Sequence, residues 1–333
     1  MTTARSLGDL LAAVPYLLGF HPTDSIVVLG LRAKKITFSV RVDLPAPTGA
    51  DELAAYLADV VARQRVSTAF VLGYGTGTAA TPAVLALCAD LVASGIPVVD
   101  ALRVDDGRYW SYRCQEPTCC PPEGRQYDAR TSPLAVAAIT EGRLALPSRA
   151  ALERRLAPLD GPARVAVTAA TRRAGDRLVE LLGTQPRRNE RGPARGMTAA
   201  RVLLRAGTAA VDVAVARYRT GGRLTDDELA WLCVLLLHLP VRDHAWESVG
   251  GDLGIHIGLW TDVVRRAEPE LVAAPAALLT FAAWRAGEGA VASVALSRAL
   301  AADPDYPMAR LLSCALAGGL NPADWDAAIR TGS

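Results

Sequence analysis

Aromatic side chains are scarce in this chain, 5% of its residues against 51% apolar overall. Its cores must therefore be built from Ala, Leu and Val, a composition that favours closely packed helices. Neither sign of charge dominates, since 36 basic residues face 34 acidic ones for a formal charge of +2. That balance excludes a global field drawing nucleic acid or an anionic membrane to the protein. No apolar run approaches the roughly 18 residues needed to cross a bilayer. The best candidates, residues 231–239 and 271–284, are short or broken by Pro275. The apolar stretch 10–20 resembles a secretory signal, but Asp9 and Pro15 interrupt the pattern and no small-residue cleavage site follows. These absences together predict a cytoplasmic protein with no membrane segment. Also missing are a catalytic triad, a paired-carboxylate pattern and a dinucleotide or P-loop fingerprint. No reaction is legible, and whether the protein is an enzyme stays open.

At 333 residues the chain exceeds the size at which one core stops growing, so two domains are expected. Residues 25–31 form a continuous apolar, β-branched run that reads as a buried strand. Residues 35–43 alternate apolar and polar after a basic turn, as a hairpin partner with one wet face would. Leu53, Tyr56, Leu57, Val60 and Val61 mark a helix over 51–64, and 68–74 reads as a second buried strand. A glycine-rich turn at 73–78 then leads to a helix expected to start at Pro82 and end near Gly95. A third strand over 96–104 and the Asp-Asp-Gly turn at 105–107 complete the half. This alternation predicts an α/β domain over 1–132 with a small mixed, mostly parallel sheet and flanking helices.

Beyond Pro133 strand signals fade except at 164–168, and helical periodicity dominates. Residues 133–196 are expected as a helical connection whose stretch 183–196 is an arginine-rich loop, and 197–333 as an all-α domain. Thr225 with Asp226, Asp227 and Glu228 marks a helix start. Residues 277–317 carry a tetratricopeptide-like end: a helix stopped by Gly287, an Ala/Leu-patterned helix before Asp303-Pro304, and a third helix. Fewer than about three such units cannot bury each other's faces, so this one closes the domain rather than forming an array.

Three cysteines within seven residues, Cys114, Cys119 and Cys120, form the densest concentration of reactive side chains. In a reducing compartment such clusters serve metal, redox or catalytic roles more often than structural ones. A possible zinc site would need a fourth ligand, with His21 or Asp105 as candidates, and the spacing lacks the Cys-x-x-Cys pairs of tetrahedral sites. A disulfide redox centre linking Cys114 to Cys119 or Cys120 is the second reading, and packing thiols in a rigid Pro-rich turn the third. Cys88, Cys233 and Cys314 lie in apolar helical stretches and read as core.

Other candidates are weaker. His21, Asp24 and Ser25 sit together in a helix-to-strand turn, where capping by Asp24 or Ser25 competes with a catalytic role. The turn at 73–78 lacks a phosphate-binding fingerprint, yet Tyr74, Asp100, Arg108 and Trp110 are candidate ligand-binding residues if Tyr74, Asp100 and the cysteine segment share one sheet edge. The arginines 172, 173, 177, 187, 188, 191 and 195 lack interleaved aromatics and read as a solvated face, so nucleic acid is not an expected partner.

Several separated segments resemble one bacterial group, the domain-of-unknown-function family 4192. They are residues 10–25 with the Pro-Tyr-Leu-Leu-Gly-Phe-His-Pro pattern, the segment Trp-Ser-Tyr-Arg-Cys-Gln-Glu-Pro-Thr-Cys-Cys-Pro-Pro-Glu-Gly at 110–124, Val-Arg-Asp at 241–243 and Leu-Ala-Ala-Asp-Pro at 300–304. The resemblance implies that His21, Asp24 and the cysteines belong to a family pattern, and it implies no activity, substrate or cofactor. The leading expectation is a non-enzymatic interaction or ligand-binding protein that meets a protein partner, a second copy of itself or a small molecule. The competing one is a thiol-dependent redox or metal-binding enzyme built on the cysteine turn near His21.

Overall fold

The computed structural model describes residues 6–128, 132–140, 144–183, 193–322 and 324–325. The chain is mixed α/β and mostly helical, with one six-stranded sheet. It packs as two compact units, residues 1–152 with 315–333 and residues 153–314.

In the first unit α1 (Leu7–Leu18) starts where the Ser6 side chain accepts the Asp9 amide and stops at Gly19, whose φ of 80° is left-handed. Strands β1 (Ser25–Arg32) and β2 (Lys35–Asp43) follow as the hairpin the alternation predicts. Then come α2 (Ala50–Ala62), β3 (Thr68–Tyr74), α3 (Gly77–Ala93) and β4 (Val98–Asp105). Asp106 and Gly107, both at positive φ, turn β4 into β5 (Arg108–Ser111), and the short β6 (Arg125–Gln126) closes the edge. Two short helices follow, α4 (Pro133–Thr140), which packs on α1, and α5 (Arg149–Leu156).

The sheet order is β2-β1-β3-β4-β5-β6. Only β3 and β4 pair in parallel, so the expected mostly parallel sheet is corrected to a mixed, mainly antiparallel one. The crossover through α2 does join two strands running the same way. However, β1 lies between β2 and β3 and is antiparallel to both, so the crossover yields no parallel pairing. Ile26, Val28, Ala69, Val71 and Ala101 share a core with α2 and α3. On the other face Val27, Leu29 and Leu72 are also fully buried.

Two further boundaries differ from expectation. The helix expected from Pro82 begins at Gly77, so the last two residues of the supposed glycine-rich loop, Gly77 and Thr78, lie in its first turn. A Cβ at Gly73 would lie 2.6 Å from Val84 of α3, so glycine there serves close helix-strand packing. Residues 164–168, read as strand, lie inside a long helix, because their β-branched residues are outnumbered by the helix formers around them.

The second unit is helical: α6 (Gly161–Gly183), α7 (Pro193–Arg219), α8 (Asp226–Leu235), α9 (Leu239–Glu247), α10 (Leu253–Arg266), α11 (Ala273–Arg285), α12 (Gly289–Ala302) and the start of α13 (Pro307–Ala317). Thr225 and Glu228 form a reciprocal capping box at α8. Every residue of α11 from Ala273 to Trp284 is buried, which makes it the axis of this core. The buried Asp262 carboxylate accepts bonds from Tyr218, Arg223 and Arg266. Of the arginine-rich loop, residues 184–192 lie outside the described residues. No helix among the described residues is long and apolar enough to cross a membrane.

Candidate thiolate site

The cysteine segment leaves β5 and returns to the same edge through β6, so both its ends are tied to the sheet. Its entry is pinned by Ser111, whose hydroxyl donates to the Asp100 carboxylate at 2.7 Å and accepts the amides of Arg113 and Cys114 at 3.1 Å each. Next, the Glu116 carbonyl accepts the amides of both Cys119 and Cys120, which folds the chain back on itself. The Glu116 carboxylate accepts the Thr118 hydroxyl at 3.0 Å.

The return limb is clasped more tightly. The Trp110 indole N–H donates to the Pro122 carbonyl at 2.9 Å, and Arg108 donates to the carbonyls of Glu123 and Gly124 at 3.3 and 3.0 Å. The Arg103 guanidinium lies over the Trp110 ring at 3.6 Å. Gly124, at φ 77°, presses against the same ring, where a Cβ would fall 2.4 to 2.9 Å from three ring atoms. Arg108 and Trp110 are thus placed to hold the loop.

This scaffold brings the Sγ atoms of Cys114, Cys119 and Cys120 within 4.8 Å of one another, all three as free thiols. Cys119 is exposed, and the other two are half-buried. The thiols are differentiated. A hydrogen bond with Cys120, then one with the Glu116 backbone, draws the Cys114 pKa down. Burial, and then the bond with Cys114, pushes Cys120 up to about 12. A zinc-sulfur bond of about 2.3 Å implies sulfurs about 3.8 Å apart in a tetrahedron, a separation comparable with the observed spacing of within 4.8 Å. Three thiolates are a donor set for soft ions such as Zn(II) or Cu(I).

The other candidates divide by location. Asp100 is the third residue of β4, near the strand's start, and its carboxylate reaches the cysteine turn through Ser111. Tyr74 ends β3 beside Val104, at the opposite end of the sheet from the Phe70–Asp100 pair. The shared edge assumed for Tyr74 and Asp100 is therefore corrected, because the strand runs on to Asp105. Burial holds the Tyr74 phenol well above its usual range. His21 and Asp105 do not belong to the sulfur cluster. His21 lies before β1, its amide donating to the Leu146 carbonyl at 2.9 Å, and its imidazole pKa is lowered by burial.

Asp24 contributes its left-handed backbone, φ 42°, and its carbonyl accepts the Leu44 amide. Ser25 is fully buried and its hydroxyl finds no hydrogen-bond partner among the described residues, so the capping expected of it is not its role there. Among the remaining cysteines Cys233 is buried, Cys88 packs at the border of the core, and Cys314 is exposed rather than core. Arg172, Arg173 and Arg177 are exposed, although Arg177 stacks over Trp231 at 4.2 Å.

Sequence reasoning missed Ser111, Arg103 and Gly124. A Ser three residues before a Cys is a recognisable turn signal, since a Ser hydroxyl accepts amides two and three positions on. The Arg103 stack has no local signal, because it is made across strands.

A family model described as a domain of unknown function, DUF4192, matches residues 8–323. No curated protein and no solved structure matches the chain.

Proposed function

We propose that this chain, which belongs to the DUF4192 family and takes no activity from that membership, is a metal-binding protein whose Cys114, Cys119 and Cys120 thiolates hold a soft transition-metal ion. The convergence of three free sulfurs within 4.8 Å carries the reading. A packing role would leave thiols dispersed among apolar neighbours, and a simple redox pair would need only two. The loop supports it as well, since both limbs are fixed to the sheet before any ion arrives, which limits the ordering entropy binding would cost. Binding displaces thiol protons, so affinity rises with pH.

Among the described residues no histidine or carboxylate joins the three sulfurs as a further ligand in one group, so the site reads as a three-thiolate binding centre. Elemental analysis of protein purified without chelator, followed by Zn(II) and Cu(I) competition titrations, tests it. One equivalent of metal, lost in Cys114→Ser and Cys119→Ser alike, is the expected outcome. Protein that takes up neither ion at micromolar concentration refutes it.

In the helical unit, α11 and α12 form a hairpin turned at Gly287, followed by α13. This order supports the tetratricopeptide-like description, with a protein partner or a second copy as its class of ligand. Light scattering of the purified chain tests the second-copy case: a concentration-independent monomer removes it.

A further inference from the structure

We infer that Cys114 and Cys120 are an oxidisable pair which a hydroperoxide closes into a disulfide, and that this closure expels the metal ion from the three-sulfur site. The inference rests on the metal-binding reading. It adds how that site is regulated.

Three pairings are available among the sulfurs, and geometry separates them. Cys119 and Cys120 are adjacent, and a trans peptide holds neighbouring Cα atoms about 3.8 Å apart, shorter than the roughly 4.4 to 6.8 Å that an unstrained disulfide spans. The vicinal pair is therefore disfavoured, and Cys114 must be one partner. Of its two neighbours, Cys120 shares its half-buried position, whereas Cys119 faces solvent. The fold that brings the two together is made by backbone bonds, the Ser111 pin before Cys114 and the Glu116 carbonyl beneath Cys120. Closing the bond joins two sulfurs that already lie within 4.8 Å of each other, on a loop whose return limb is clasped by Arg108 and Trp110.

The chemistry balances with a hydroperoxide as the oxidant. The Cys114 thiolate attacks the terminal peroxide oxygen, the O–O bond breaks, and the departing oxygen takes a proton to leave as water or an alcohol. Cys114 is then a sulfenic acid. The Cys120 sulfur attacks the Cys114 sulfur, the S–S bond forms, and the S–O bond breaks, the departing hydroxyl taking the Cys120 thiol proton to leave as water. Two thiols and one peroxide yield one disulfide, with two electrons passing to the peroxide. A disulfide sulfur is a poor metal donor, so the ion is left with Cys119 alone. One thiolate cannot hold it against water.

The test uses the full chain loaded with Zn(II), titrated with hydrogen peroxide in the presence of a chromophoric zinc chelator. Zinc release that rises in step with disulfide formation, with peptide mapping joining Cys114 to Cys120, is the expected result. Metal-free Cys119→Ser should form the same bond, and metal-free Cys120→Ser should instead accumulate a dimedone-reactive sulfenic acid at Cys114. Zinc release with no disulfide, or a bond mapped to Cys119, overturns the inference. Zinc retained through full oxidation does the same while leaving the metal reading intact. Protein that forms the Cys114–Cys120 bond but never binds zinc defeats the metal reading and with it the expulsion step.

Discussion

Replacing Gly124 by Ala should loosen the cysteine loop far more than the same change at Gly107. Both glycines have left-handed backbones, φ 77° and 71°, and a non-glycine residue there costs about 1–2 kcal/mol. They differ in what a methyl group would meet. Around Gly107 there is nothing within 4 Å, whereas at Gly124 the new Cβ would sit 2.4 Å from the nearest Trp110 ring atom. The ring has little room to yield, because Arg103 stacks on it and its N–H is bonded to Pro122. Overpacking of this kind costs about 1–3 kcal/mol. The Arg108 bonds to the Glu123 and Gly124 carbonyls would also stretch as the chain retreats.

An excess of about 1–3 kcal/mol over the Gly107 variant corresponds to roughly 5- to 150-fold in an equilibrium constant. Because the loop's closed form presents the sulfurs, that factor should appear as weaker Zn(II) binding in a competition titration. Faster reaction of Cys114 and Cys120 with a thiol reagent should accompany it. Equal behaviour of Gly124→Ala and Gly107→Ala would show that the Trp110 contact does not hold the site together.

Four further outcomes follow from the same structure. Ser111→Ala removes the acceptor of two amides and should cost about 1–3 kcal/mol locally, seen as faster exchange of the Arg113 and Cys114 amide protons with the β1–β3 core unchanged. His256 is buried, and desolvation first, then the nearby Arg219, lowers its pKa below the ordinary value of 6.5; Arg285 acts in the same direction, against a Gly250 backbone bond and Asp252. The unfolded chain then binds the proton more readily, so this contribution to stability is present above pH 6.5 and lost as pH falls below it. Urea midpoints measured between pH 5 and 8 should flatten in His256→Gln. Thr225→Ala should remove about 1 kcal/mol through loss of the capping box, read from the urea midpoint. Asp262→Ala should cost about 1–3 kcal/mol in the same assay, because the Tyr218 hydroxyl loses its acceptor while Arg266 keeps Asp226 and the Leu224 carbonyl.

The local elements were written in the chain. Alternation over 35–43 and the apolar run at 68–74 set strands whose ends agree with the structure, and Thr225 with Glu228 set a helix start. Residue chemistry alone also singled out Cys114, Cys119 and Cys120, whose sulfurs lie together in the structure. These features depend on periodicity, caps and composition, which act over a few residues. Tertiary structure decided the rest. Insertion of β1 between β2 and β3 turned expected parallel neighbours antiparallel, and continuation of β4 to Asp105 separated Tyr74 from Asp100. It also stacked Arg103 on Trp110 across β4 and β5 and linked Asp100 to the cysteine turn through Ser111. Strand order and cross-strand contacts join residues far apart in sequence, and their energies come from packing that no short window contains. The chain by itself supplied three thiols within seven residues; the folded sheet edge brings their sulfurs within 4.8 Å.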